Sequence, residues 1–207
     1  MSRSVLLLAV AIAALPSAAD SGPRIGAALS FNYSRLAYAE ELPVWDTGWR
    51  ASVGGGLIVS AATWSHVSMV TGVRFVRQGN SVAYDTGAPG EFEIKQDYLS
   101  IPMLAQIAPL DRESIFIVFG PEFGYLLAAK LVDRPNQPGE TQDNIISRMN
   151  RVNVTLDVGI GCDLPLGERV GMLQLRYAHG VMQVSKSGDW YSPWKTRSVE
   201  ALVGILW

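Results

Sequence analysis

Few side chains in this sequence are equipped for chemistry. Histidine occurs only at His66 and His179, so a triad or an imidazole metal site has little to draw on. His66 and Ser68 stand two apart, so in a strand they share a face, and a hydroxyl beside an imidazole is the pairing that makes a serine nucleophile. His179, just before Gly180, reads as a rim or interior hydrogen-bonding residue. The run Gly54, Gly55, Gly56 lacks the Gly-Lys-Ser/Thr sequel and the following helix of a phosphate cradle, so strand curvature or close packing explains it better. Cys162 is the single cysteine; it can close no internal disulfide and suits a small apolar filler. No catalytic, cofactor-binding or metal residue is assigned on these grounds, and the chain is expected not to be an enzyme.

Two other sets of residues invite interpretation. Trp190, Tyr191 and Trp194 sit among Ser, Gly, Asp and Lys, where exposed aromatics suit a glycan or a partner protein, or anchor at a membrane interface. Arg50, Arg74, Glu122, Asp157, Arg176 and Glu200 each interrupt an otherwise apolar stretch. Those six charges depend for their meaning on the elements that carry them.

The clearest such element is 151–163. Val152, Val154, Leu156, Val158, Ile160 and Cys162 alternate there with polar, charged or glycine residues. Successive strand side chains point to opposite faces, so the segment has one apolar and one polar face, over a length that suits a tilted bilayer crossing. Seven more segments carry the same period: 24–33, 49–60, 67–78, 94–108, 114–127, 172–178 and 197–207. Pro102, lacking an amide hydrogen, predicts a bulge or kink in the fourth. Short links (61–66, 109–113, 165–168) alternate with longer polar ones (35–46, 79–93, 132–150, 185–196), the pattern of an up-and-down barrel with periplasmic turns and external loops. The expected fold is all-β, an eight-stranded antiparallel up-and-down transmembrane β-barrel.

The charges decide which face is inside. If the apolar rows faced inward, all six would lie outside, as in a soluble eight-stranded lipid carrier. If those rows face lipid, three arginines and three acids fill an interior just wide enough to pack side chains, and neutralise one another. Segment length, Trp207 and the aromatics Tyr33, Trp49, Trp64, Tyr98, Tyr125 and Tyr177 near strand ends favour the second arrangement. Leu156 is then expected at mid-membrane on the lipid side, with Asp157 inside against Arg74 or Arg176.

Composition agrees. Hydrophobic residues make up 48% of the chain and charged ones 17%, below the roughly 25% of an ordinary soluble domain, and the apolar residues are distributed rather than gathered into a spanning helix. A formal net charge of −2 without a basic run gives nucleic acid no purchase. Arg3, the apolar run 5–15 and the small residues Ser17 and Ala19 have the order of a secretory signal. Residues 1–19 are expected to be that signal and 20–207 one barrel domain.

Five local patterns resemble one family. They are Gly26-Ala-Ala-Leu-Ser-Phe-Asn32, Tyr98-Leu-Ser-Ile-Pro102, Gly120-Pro-Glu-Phe-Gly-Tyr-Leu-Leu127, Asp157-Val-Gly-Ile-Gly161 and Arg176-Tyr-Ala-His-Gly180. Together they resemble the outer-membrane β-barrel family typified by the PorT proteins of Bacteroidetes-type bacteria, over nearly all of residues 20–207. The resemblance implies an eight-stranded barrel in the bacterial outer membrane. For the PorT proteins themselves it also implies a link to type IX secretion. Trp207 resembles the aromatic terminal residue that barrel assembly machinery recognises, with tryptophan in place of the usual phenylalanine. The His66/Ser68 pair is similar to that of outer-membrane lipid A deacylases, but a pair beside a periplasmic turn lies at the membrane face opposite lipid A.

The function expected is therefore that of a non-enzymatic outer-membrane barrel with a plugged, charge-paired interior. Its neighbours are outer-membrane lipids, and its external loops bind a partner or its body supports the envelope. A narrow pore or secretion accessory is the alternative, and a soluble carrier the further one.

Overall fold

The computed structural model describes residues 22–38, 45–64, 66–84, 90–108, 115–134, 141–186 and 194–207. The expected signal segment and the loop aromatics Trp190 and Tyr191 lie outside them. Eight long strands form the wall: β1 (Arg24–Tyr38), β2 (Trp45–Trp64), β3 (Val67–Tyr84), β4 (Gly90–Ile107), β5 (Ile115–Arg134), β7 (Val152–Leu166), β8 (Arg169–Gly180) and β9 (Trp194–Leu206). A short β6 (Thr141–Asn144) and a single 3-10 turn (Ile146–Arg148) lie between β5 and β7. Every long strand pairs antiparallel with its neighbours, and β1 pairs with β9, so the sheet closes. At the seam Trp207 donates its amide to the Ile25 carbonyl at 2.9 Å, and Ile25 donates back at 3.2 Å. Closure leaves the eight long strands, as far as they are described, without a free sheet edge, the condition for a sheet surrounded by hydrocarbon; the short β6 pairs with β5 alone.

The period-two rows fall as the lipid-facing arrangement requires. Leu29, Phe31, Val53, Leu57, Leu156, Val158, Ile160, Leu175 and Val203 point outward and are more than half exposed. Ser30, Asn32, Arg74, Glu122, Asp157, Arg176 and Glu200 point inward and are buried. A soluble carrier needs the reverse, so that alternative is set aside. Tyr33, Tyr125 and Tyr177 stand on the outer face and Trp49 stacks on Tyr33. Tyr98 does not join them: an even-numbered neighbour of Gln96 and Ser100, it points inward and is buried.

Strand ends differ most from expectation. The pairing of β3 with β4 continues to Tyr84 opposite Gly90, and that of β4 with β5 to Glu91 opposite Arg134. Stretches expected as polar loops are thus largely paired ribbon, because a strand above the hydrocarbon can carry polar residues on its outer face and keep its period. Pro102 interrupts the ladder without shifting its register; the register shift in β4 falls between Asp97 and Tyr98. The link between β7 and β8 is tighter than expected. Pro165 pairs with Val170, and Gly167, at φ 69°, opens a two-residue turn with Glu168, the position where a type II′ turn demands glycine.

The glycine triplet answers to packing. A Cβ on Gly54 would meet the Phe75 carbonyl at 2.6 Å, and one on Gly56 would meet the Val73 carbonyl at 2.2 Å. Beside them the β2–β3 register shifts between Trp49 and Gly55.

Candidate functional site

The barrel interior is built in layers, each set by which residue types occupy the inward positions. At the end bearing the short turns, Ala28, Ile58, Phe116, Val118, Met172, Leu202 and Leu206 form a buried apolar cluster. Room for the Phe116 ring comes from Gly161 on the neighbouring strand, whose Cβ would lie 2.4 Å from that ring.

Above it lies the ionic layer. Arg74 donates to both oxygens of Glu200, at 2.9 and 3.1 Å, and to Glu122 at 3.3 Å. Arg176, directly opposite Glu200 in register, contacts the same carboxylate and lies 3.5 Å from Glu122 and 3.7 Å from Asp157. Thr155 donates its hydroxyl to Asp157 at 2.7 Å. Five strands, β3, β5, β7, β8 and β9, are thereby tied through two guanidiniums and three carboxyls. Charges taken out of water need such multiple partners, since a single pair seldom offsets its desolvation. Of the six charges singled out from sequence, five meet here. Arg50 stands apart, 3.6 Å from Glu93.

Next comes a small cavity lined by Val76, Gln78, Tyr98, Ser100, Glu122, Gly124, Asn153 and Thr155, large enough for about one water. Oxygens of Gln78, Tyr98, Ser100, Glu122 and Asn153 on this lining are buried without a protein hydrogen-bond partner, so the cavity is polar. The cap above it was not foreseen. Leu36, Ile94, Tyr98, Leu126, Ala129 and Trp194 from the wall pack with Ile145, Met149 and Val184 from the links.

Two links are folded inward to supply that cap. The stretch around the 3-10 turn and the one after β8 are tied by Asn150 N–H to the Val184 carbonyl (2.9 Å) and Lys186 N–H to the Arg148 carbonyl (3.0 Å), and Val184 N–H ties the second stretch to the Trp194 carbonyl at the start of β9 (2.9 Å). The Asn150 side-chain amide adds bonds to the Gln183 and Ser185 carbonyls. Trp194, expected among exposed loop aromatics, is instead buried, because it opens β9 on the inward-pointing row. Sequence reasoning missed this cap, although Ile145, Met149 and Val184 were visible as apolar residues within polar links.

The residues weighed for catalysis are not brought together. His66 is exposed in the turn between β2 and β3, at the short-turn end. His179 faces outward near the long-loop end, 3.4 Å from the Tyr177 hydroxyl. Cys162 lies half-buried on the outer row opposite Ile115 and Leu173. Among the described residues no grouping of His, Cys, Asp and Glu is placed to hold a metal ion.

A closed antiparallel barrel with an apolar exterior and charged and polar residues buried in its interior defines a transmembrane β-barrel. Residues 18–186 match the model of the outer membrane protein beta-barrel domain, and the chain belongs to that family; it is a protein of the bacterial outer membrane. Among solved structures it resembles the outer membrane protein OprG from Pseudomonas aeruginosa, at 12% identity and a TM-score of 0.53, over 90% of this chain and 95% of that one. It is also similar to the attachment invasion locus protein Ail of Yersinia pestis, at 11% identity and a TM-score of 0.43, over 90% and 100% of the respective chains. No curated protein matches the sequence significantly.

Proposed function

We propose that this chain is a non-enzymatic outer-membrane barrel with a closed lumen, which acts through its long-loop end rather than by passing solutes. The observation that carries this reading is the threefold obstruction of the interior: the apolar cluster around Phe116, the Arg74/Arg176 ionic layer, and the Trp194 cap. Each differs chemically from the next, so no single solute, ion or apolar molecule finds a continuous path. The interlocked links then present a defined outer surface for a partner, or the body serves the envelope as a stable insert. Trp207, exposed on the outer face beside the seam, fits a docking point for assembly machinery.

A second reading keeps the local matches to PorT proteins in view, as a narrow pore or a secretion accessory. The polar cavity above the ionic layer favours it, because a channel would begin from such a space. Conductance in planar bilayers separates the two. A closed barrel gives a flat current, whereas steps of constant size at physiological salt would overturn the closed reading.

A further inference from the structure

On the outer wall at the long-loop end, three adjacent strands place cations side by side. Cross-strand register aligns Tyr33 of β1 with Val199 of β9, and Val199 with Tyr177 of β8. Two residues further along, on the same face, Arg35 stands opposite Arg197, and Arg197 opposite His179. One step beyond, Lys195 follows opposite Ala37. Like charges directly opposite in a sheet destabilise it unless an anion lies between them.

Among the described residues no carboxylate supplies that anion. Among the described residues no ion pair joins Arg35, Arg197 or Lys195 to an acid, and the Nε groups of both Arg35 and Arg197 are buried without a hydrogen-bond partner there. Two other outward cations at this end do have acidic partners: Arg77 pairs with Asp97 at 2.6 Å, and Lys95, which faces Lys130 across the strands, with Glu93 at 3.2 Å. The seam differs from these two sites in setting three cations of adjacent strands side by side with no acid among the described residues between them. Trp49 stacks on Tyr33, with the Arg35 guanidinium 5.1 Å from the Trp49 ring, which holds Arg35 close to the wall at the level where aromatic side chains meet headgroups. Two residues along a strand is about 6.6 Å. The cations thus lie just past the aromatic level, at the depth of lipid phosphates.

We propose that Arg35, Arg197, Lys195 and His179 form a binding site for the phosphorylated headgroup of an outer-leaflet glycolipid. Guanidiniums bind phosphate through paired N–H donors, and two of them on adjacent strands bracket one phosphate while Lys195 reaches toward a second. The outward row below, Phe31, Tyr33 and Val199, takes the acyl chains. The choice of leaflet rests on the outer-membrane reading in which the long-loop end faces outside.

The test uses the full chain purified in zwitterionic micelles, with lipid retention read by native mass spectrometry. Bis-phosphorylated lipid A is expected to be retained as one copy, and its fully dephosphorylated form is not. Arg35→Gln with Arg197→Gln lowers the apparent affinity by about tenfold or more, since each charge-assisted contact alone is of that size. Arg35→Lys with Arg197→Lys restores part of it, and Arg169→Gln at the opposite end leaves it unchanged. Heat-modifiable gel mobility confirms that each variant is folded. Equal binding by the glutamine variant, or by the dephosphorylated lipid, overturns the site. Full displacement by millimolar inorganic phosphate would make it a free-anion site and overturn the lipid. Equal retention of phosphatidylglycerol would overturn the glycolipid. Micelles have no leaflets, so failure here is distinct from a failure of orientation, which cysteine labelling reads separately.

Discussion

Arg74 on β3 holds both carboxylate oxygens of Glu200 on β9, at 2.9 and 3.1 Å. Strands β2 and β1 separate β3 from β9 in the wall, so this bond crosses the lumen and fastens one side of the barrel to another. Glu200→Leu leaves Arg74 with Glu122 alone and takes from Arg176 its closest carboxylate. Removing one partner of a buried pair costs about 3–5 kcal/mol, and reversible urea unfolding in lipid vesicles should show a loss in that range. A change within about 0.5 kcal/mol would mean that water, not Glu200, solvates the arginines.

Asp157→Leu is expected to destabilise as well, by less. Asp157 lies 3.7 Å from Arg176, which keeps Glu122 and Glu200 when it is gone. The remaining penalty is the Thr155 hydroxyl left without its acceptor, about 1–3 kcal/mol for a buried donor. The same unfolding assay orders the two variants, and Asp157→Leu costing more than Glu200→Leu would refute this hierarchy.

How much of this was legible beforehand depended on whether a residue's role was fixed by alternation alone. Inward and outward rows were readable because a strand's period is two, so Leu29 against Ser30 or Val158 against Asp157 needed no knowledge of the neighbours. Which charges meet was only half readable. Arg176 was foreseen as a partner of Asp157, but Arg74 reaches Glu200 instead, a choice made by register and shear that a single strand does not carry. The Trp194 cap was hidden for a further reason. Its other members, Ile145, Met149 and Val184, come from links without periodicity, and only the folded chain shows that these turn inward. Glu93 near Arg50 and the Arg35/Arg197 juxtaposition likewise exist only across strands.

Trp194→Ala tests the cap. Truncating a buried large aromatic costs about 3–5 kcal/mol when the site cannot collapse. Because Val184 N–H bonds to the Trp194 carbonyl and Met149 bridges to Ser185, loss of the ring should also loosen both links. Limited proteolysis should then cut near residues 181–186 faster while the barrel stays intact. Unchanged cleavage would show that the links hold each other without the tryptophan.

Orientation is tested by single cysteines in a Cys162→Ala background. Asp143 follows β5 at the long-loop end and Glu168 lies in the tight turn between β7 and β8; both are exposed. Turns face the periplasm and loops the outside in barrels of this kind. A membrane-impermeant maleimide on whole cells should therefore label Asp143→Cys and spare Glu168→Cys until the outer membrane is opened. Labelling of Glu168→Cys on intact cells would reverse the assignment.

Depth along β7 gives the last prediction. Sequence alone put Leu156 at mid-membrane, yet in register it faces His179, one step past the Val158 and Tyr177 pair and level with the basic seam on β8 and β9. Ile160, between Ile117 and Leu175 and 61% exposed, lies nearer the middle of the apolar band. An arginine on the lipid face costs about 2–4 kcal/mol at the midplane and about 0–1 near the interface. Ile160→Arg should therefore lose stability in the upper range, and Leu156→Arg, whose guanidinium starts nearer the headgroups and can reach them, clearly less. Urea unfolding of both variants in the same vesicles measures the difference. Equal losses would place Leu156 as deep as Ile160 and move the headgroup level away from His179, and with it the depth assigned to Arg35 and Arg197.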